Sequence, residues 1–91
     1  GCYMASRYQQ SARTAARILD GQAFVITPDY KLHTLNATGT RIWELTKEPT
    51  ALDALATAIA ERFDVEVARA RADAQHFCDA LVARQALEVI P

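Results

Sequence analysis

The pattern of apolar residues changes once along this chain, at Asn36, and the change restricts the folds open to it. Before Asn36, short runs rich in β-branched and aromatic residues lie between turn-forming pairs. After it, apolar residues recur at the spacing of amphipathic helices. Strands that come first and helices that follow predict an α+β domain rather than a parallel α/β sheet.

Two turn signals divide the first part of the chain into three predicted strands. Asp20-Gly21 favours a two-residue turn with positive φ between residues 14–19 and 22–27. Pro28-Asp29 leads into the third strand, residues 30–35. Such short connections predict a three-stranded antiparallel meander, whose first and third strands each leave one edge free.

Asn36 ends the third predicted strand and begins the first helix. Asparagine is among the best N-cap residues, because its side chain accepts a hydrogen bond from a free amide of the first turn. Gly39 permits close packing of this helix, and Trp43 is expected to anchor it in the core beneath the sheet. Pro49 ends the helical pattern.

Two more helices complete a predicted three-helix bundle. Thr50 and Asp53 resemble a capping box for the second helix. The third is predicted over about residues 66–84, and residues 87–90 should dock back on the core. At 91 residues the chain is expected to hold one domain, residues 14–91.

Residues 1–13 are polar and lack periodicity, so they are predicted to form a flexible N-terminal tail. The opening GCYMAS is left out of the fold prediction, because it can include vector-derived residues ahead of Met4.

The sequence offers little support for catalysis. His33 and His76 lack neighbours at metal-ligand spacing, so no metal site is predicted. Cys78 has no base beside it, since His76 points to another side of the same helix. No glycine-rich phosphate loop is present. The chain is therefore expected to be neither an enzyme nor a carrier of a cofactor.

Composition also argues against several partners. With 10 basic and 11 acidic residues, the net charge of −1 disfavours nucleic acid, which basic domains bind. No apolar run approaches the ~18 residues of a membrane span, and no signal peptide is visible. Two distant cysteines without a CxxC pair favour a reducing, cytoplasmic location.

The free edge of the third predicted strand is the main candidate for a binding site. Only one charged residue guards this edge, and an added peptide strand finds unpaired amides and carbonyls there. The predicted strand side of the groove comprises Lys31, Leu32, His33, Thr34 and Leu35.

A stripe of the third predicted helix forms the other wall in this interpretation. It comprises Val67, Arg71, Ala74 and Cys78. Small residues would leave room for apolar side chains of a peptide, and Arg71 would meet acidic ones. The alternative is that the stripe is simply packed or solvated. About four ladder hydrogen bonds and one or two buried aliphatic side chains predict roughly micromolar affinity.

Several motifs resemble the PqqD family. They are RILDGQAFVI, LNATGTRIWEL, the T-x-x-x-L-A-x-x-x-x-x-x-F-D-V stretch and DAQHFCDAL, within residues 14–90. The most specific part is Leu35-Asn36 followed by Gly39 and Ile42-Trp43. Two features depart from the family: Gln85 or Ala86 stands where members often have a glycine, and the first helix ends in TKEPT.

The resemblance implies a winged-helix-like fold and a non-catalytic peptide recognition element of ribosomal peptide natural-product biosynthesis. Such domains bind the leader of a precursor peptide as an added strand between the third strand and third helix. They present it to a modifying enzyme, such as a radical S-adenosylmethionine enzyme or, in lasso-peptide systems, a leader protease. Two alternatives stay open: a winged-helix DNA-binding regulator, and an adaptor that associates with itself through the free edge. The oligomeric state is left undecided.

Overall fold

The structure, a computed structural model, describes residues 6–91. Within them the chain is α+β, with antiparallel strands and three helices. The helices are α1 (Ala37–Leu45), α2 (Leu52–Phe63) and α3 (Val67–Ala83). The strands are β1 (Arg7–Gln10), β2 (Ala15–Leu19), β3 (Gln22–Ile26), β4 (Leu32–Thr34), β5 (Thr50–Ala51) and β6 (Leu87–Ile90).

The predicted meander is present as the sheet β2-β3-β4. Asp20 and Gly21 both have positive φ, 52° and 75°, as expected for the two-residue turn. Leu19 consequently pairs with Gln22, and the register continues to Ala15 opposite Ile26. Strands β2 and β4 lie at the two edges, as the sequence predicted.

A second three-stranded sheet, β5-β1-β6, was not predicted. Arg7–Gln10 pairs along its whole length with β6, so the prediction of a flexible tail over residues 1–13 is wrong for these four positions. The physical reason is that β1 is polar by sequence, yet Tyr8 is only 8% exposed and packs in the core. Residues 1–5, which include Cys2 and the positions ahead of Met4, lie outside the described residues.

The capping predictions have different outcomes. The Asn36 side chain accepts a hydrogen bond from the Gly39 amide at 2.7 Å, which confirms the N-cap of α1. The capping box at Thr50 is wrong, because Thr50 lies in β5 and its hydroxyl donates to the carbonyl oxygens of Leu45 and Glu48. The N-cap of α2 is Ala51, which makes no side-chain bond.

Helix α3 ends without glycine. Gln85 adopts a φ of 65°, and the Ala86 amide donates to the Leu81 carbonyl at 2.8 Å. This is the hydrogen bond of a Schellman motif, which a residue with positive φ permits. The chain then enters β6, where Leu87 is 2% exposed, so the prediction that this segment docks on the core is confirmed.

The core lies between the two sheets and the helices. Trp43 is 3% exposed and belongs to the buried cluster, which confirms its predicted role as a core residue. Helices α2 and α3 pack mainly against each other, and α1 packs against β3. This arrangement sets the first turn of α1 beside the middle of α3, where the candidate site lies.

Candidate functional site

Strand β4 has one paired side and one free side. The Thr27 amide donates to the Lys31 carbonyl at 3.0 Å, and the Leu35 amide donates to the Ala23 carbonyl at 2.9 Å. Both Lys31 and Leu35 therefore direct their main chain toward β3. Because the direction alternates along an antiparallel strand, the amides and carbonyls of Leu32 and Thr34 point to the free edge.

This register divides the five predicted strand residues into two groups. The structure keeps Lys31, His33 and Leu35 bonded toward β3, with His33 opposite Val25. Leu32 and Thr34 are the two whose backbone faces outward, and no strand of the described residues pairs with them on that side. An added strand can therefore bond to four main-chain groups. The expected micromolar affinity assumed about four such hydrogen bonds.

A pocket of about 400 Å³ follows directly after β4. One wall is the first turn of α1, with Asn36, Thr38 and Gly39. The other is a face of α3 made of Asp73, His76, Phe77 and Ala80. These four residues have the i, i+3, i+4, i+7 spacing of a single helix face.

Gly39 determines how closely the two walls approach. A Cβ atom at this position would lie 2.7 Å from Cε1 of Phe77, closer than carbon atoms pack. The Phe77 ring therefore rests directly on the backbone of α1, as the predicted role of Gly39 in close packing requires. Phe77 is only partly buried, so it forms an apolar floor that the pocket shares with the core.

The predicted α3 wall needs correction at two positions. Ala74 and Cys78 are both 0% exposed and belong to the buried cluster. They face the core, so they offer no surface to a peptide in this structure. The physical reason is that periodicity identifies two neighbouring stripes on a helix, while only tertiary packing decides which of them is covered.

The other two residues of that predicted wall are exposed. Val67 is 54% exposed at the start of α3. Arg71 forms an ion pair with Asp53 at the start of α2, so its guanidinium is directed along the α2–α3 junction. Neither residue lines the pocket beside Gly39. The spacing of Asp73, His76, Phe77 and Ala80 was the sequence signal for the observed face.

Burial also determines the chemistry of Cys78. It raises the pKa of the thiol to about 12, and the nearby Asp79 carboxylate acts in the same direction. Because the thiolate is the nucleophilic form, this cysteine is inert at neutral pH. Cys78 is therefore a core residue in chemical terms as well as by packing.

The turn that precedes β4 carries a residue that the sequence analysis missed. Tyr30 is 92% exposed and has a φ of 65°, which is uncommon for a residue with a side chain. The Thr27 hydroxyl donates to the Asp29 carboxylate beside it, and this hydrogen bond lowers the pKa of Asp29. The turn thus presents an exposed aromatic ring two residues ahead of Leu32, which is 63% exposed.

Two other kinds of site have no candidate among residues 6–91. Across residues 6–91, no three histidine, cysteine or carboxylate side chains cluster in a way that suits a metal ion. Among the same residues, no helix combines the length and the apolar character that a membrane crossing needs.

Comparison with known proteins places this geometry in a family. Residues 22–87 match the family model described as coenzyme PQQ synthesis protein D (PqqD). The chain belongs to the PqqD family. The family resemblance of its motifs is thereby confirmed, although β1 and β2 lie ahead of the matched residues. No curated protein matches the chain significantly.

Two solved structures resemble this PqqD-family chain. TbiB1 in complex with the TbiA(beta) leader peptide has a TM-score of 0.80 at 23% identity, covering 88% of this chain and 94% of that one. The PqqD truncation of Methylobacterium extorquens PqqCD, described as a functional and stand-alone RiPP recognition element, has a TM-score of 0.74 at 14% identity. That likeness covers 90% of this chain and 88% of the other. At such identities the likenesses establish the fold.

Proposed function

We propose that this PqqD-family domain binds the leader segment of a ribosomally made precursor peptide and presents it to a modifying enzyme. The observation that carries the proposal is the free edge of β4, where Leu32 and Thr34 direct unpaired main-chain groups outward. The leader adds as a further strand along this edge, and its hydrogen bonds are independent of side-chain identity. The role is recognition, and the chemistry belongs to the enzyme.

The proposed site is wider than the β4 edge. Apolar leader side chains enter the pocket whose floor is Phe77, and Tyr30 and Leu32 add exposed apolar surface. Lys31, His33 and Leu35 contribute by holding β4 in register with β3. Burying one or two aliphatic side chains contributes about 1.5–3 kcal/mol each before ordering costs, which supports affinity in the micromolar range.

The partners follow from this role. The precursor peptide is the ligand, and a radical S-adenosylmethionine enzyme or a leader protease is the enzyme that receives it, in a PQQ, lasso-peptide or related pathway in the cytoplasm. The recognition domain includes β1, because β1 holds β6 in place. Its helices are proposed to have the winged-helix-like arrangement that the family resemblance implies.

DNA binding fits less well than peptide binding. Two arginines near the start of α3, Arg69 and Arg71, form ion pairs with Asp73 and Asp53. A helix that reads DNA needs basic groups directed at phosphates, with a clear excess of positive charge. The net charge of −1 provides no such excess.

The test is a titration of the ¹⁵N-labelled chain with a synthetic leader of the precursor encoded beside its gene. We expect saturable shifts of the Leu32 and Thr34 amides and of the α3 face that includes Phe77. Thr34→Pro removes an outward amide, which an edge strand tolerates, and should lower affinity at least about tenfold. Thr34→Val retains the amide and the β-branched shape, so it is the matched control.

Shifts that cluster away from β4 and α3 would show that the peptide binds elsewhere. Equal affinity of the proline and valine variants would show that no strand is added at this edge. The spectrum of each free variant establishes beforehand that it is folded.

A further inference from the structure

A second groove lies at the opposite edge of the same sheet, and the proposed leader site does not use it. Its volume is about 480 Å³. Strand β2 forms one side, and the end of α1 with the residue that follows its C-cap forms the other. The groove is lined by Gln10, Ala16, Arg17, Ile18, Trp43, Glu44 and Lys47.

The main chain of β2 is arranged for pairing at this edge. In a hairpin with a two-residue turn, the flanking pair, here Leu19 and Gln22, is hydrogen-bonded. Alternation then directs the amides and carbonyls of Ala16 and Ile18 away from β3. In the part of the chain that the structure describes, no strand pairs with this outer side of β2.

The side chains of the groove combine apolar surface with positive charge. Ile18 is 42% exposed, whereas the neighbouring Trp43 is buried. Arg17 and Lys47 have no ion-pair partner among residues 6–91, while Glu44 is paired with Arg41 at 3.7 Å. Two cations, Arg17 and Lys47, and one carboxylate, Glu44, give the lining a net charge of +1, which favours an acidic occupant.

A second copy of this chain suits the edge poorly. Two antiparallel β2 strands can pair about a two-fold axis so that Ala16 of one copy lies opposite Ile18 of the other. In this register Arg17 lies directly opposite its own counterpart. Like charges in directly opposed positions destabilise a strand pair. The observations favour a different chain with acidic residues.

We propose that the groove between β2 and α1 binds an extended, acidic segment of a partner protein by strand addition. The inference goes beyond leader binding, because it concerns the other edge of the sheet. Two added strands would lie on either side of three, about 19 Å apart at ~4.8 Å per spacing. One small sheet thereby holds two peptides at a defined distance and in a defined orientation.

The experiment uses the full chain, labelled with ¹⁵N, and two blocked peptides of sequence EVTVE and KVTVK. The acidic peptide is expected to shift the amides of Ala16 and Ile18 saturably at millimolar concentration. The basic peptide should bind about threefold to tenfold more weakly, since each exposed charge pair contributes modestly. The double variant Arg17→Glu with Lys47→Glu should reverse the preference between the two peptides.

A backbone variant tests strand addition separately from charge. Ala16→Pro removes an outward amide at an edge position and should abolish the shifts, whereas Ala16→Val should retain them. Three results would each overturn the proposal: no difference between the two peptides, shifts at Leu32 and Thr34 in place of Ala16 and Ile18, or β2 shifts that depend on protein concentration without peptide. The last would identify a second copy as the occupant. The leader titration is observed at amides of β4 and this titration at amides of β2. Either proposal can therefore fail while the other holds.

Discussion

The burial of Cys78 decides whether this residue belongs to the core or to a binding surface. Its thiol is completely buried in the cluster that joins α3 to the rest of the core. Had it lined the leader groove, as the helical spacing suggested, it would be open to reagents.

We expect Cys78 to be alkylated only as fast as the chain opens. In a Cys2→Ser background, iodoacetamide should modify the folded protein at the opening rate, and added leader peptide should slow the reaction only as far as it stabilises the fold. The rate is measured by mass spectrometry, with the urea-unfolded chain as the control. Modification of the folded chain at the rate of a free thiol would place Cys78 at the surface.

The same residue predicts a loss of stability at alkaline pH. Its pKa is about 12 in the folded chain, while a thiol of the unfolded chain ionises near ~8.5. Below that lower value both states hold the proton and stability is unaffected. Above it the unfolded state releases the proton first, so the free energy of unfolding falls with rising pH, by up to about 2 kcal/mol at pH ~10. Urea unfolding of Cys78→Ala should show a smaller decline between neutral and alkaline pH.

The contact between α1 and α3 connects folding to the proposed function. Beside the pocket, Gly39 brings the backbone of α1 against the Phe77 ring of α3. The pocket depends on the missing side chain at Gly39, because a Cβ there would occupy the position of the Phe77 ring edge. This contact is where a small change should affect both stability and leader affinity.

Gly39→Ala is expected to destabilise the chain by about 1–3 kcal/mol, the usual effect of an added methyl in a close contact. The displaced Phe77 ring should also lower leader affinity. Combining Gly39→Ala with Phe77→Leu should recover part of the lost stability, because the smaller side chain makes room. Urea unfolding of the four members of this double-mutant cycle gives the coupling. Strict additivity would show that the two residues do not compete for space.

Strand β1 closes the domain, although it lies ahead of the residues that match the family model. It is the central strand of β5-β1-β6, so it connects the segment before α2 with the segment after α3. Tyr8 extends this connection into the core, and its hydroxyl accepts a hydrogen bond from Gln75 at 3.2 Å. The N-terminal segment is therefore structural, in contrast to the predicted tail.

Tyr8→Ala should lower the free energy of unfolding by about 3–5 kcal/mol, the range for truncating a buried aromatic residue. Tyr8→Phe should cost only about 1 kcal/mol, because it loses the hydrogen bond and retains the ring. Urea unfolding at neutral pH measures both. A Tyr8→Ala variant as stable as the parent would mean that β1 does not belong to the cooperative unit.

The features that were predictable from sequence are those that depend on residues close together along the chain. The Asn36 cap depends on one side chain and an amide three residues away, and the Asp20-Gly21 turn depends on two backbone conformations. The strand order and the two free edges follow from short connections. Local hydrogen bonds and steric limits act within a few residues, so a single sequence contains them.

Other features depend on contacts between residues that are far apart in the chain. Tertiary packing paired β1 with β6, set the Phe77 ring on Gly39, and turned Ala74 and Cys78 into the core. Periodicity shows that α3 has more than one apolar stripe, but the neighbours of each stripe come from other parts of the chain. The strand pattern and the short turns thus predicted the β4 edge as the candidate site. Only packing decided which face of α3 stands beside it, because burial is a property of the assembled molecule.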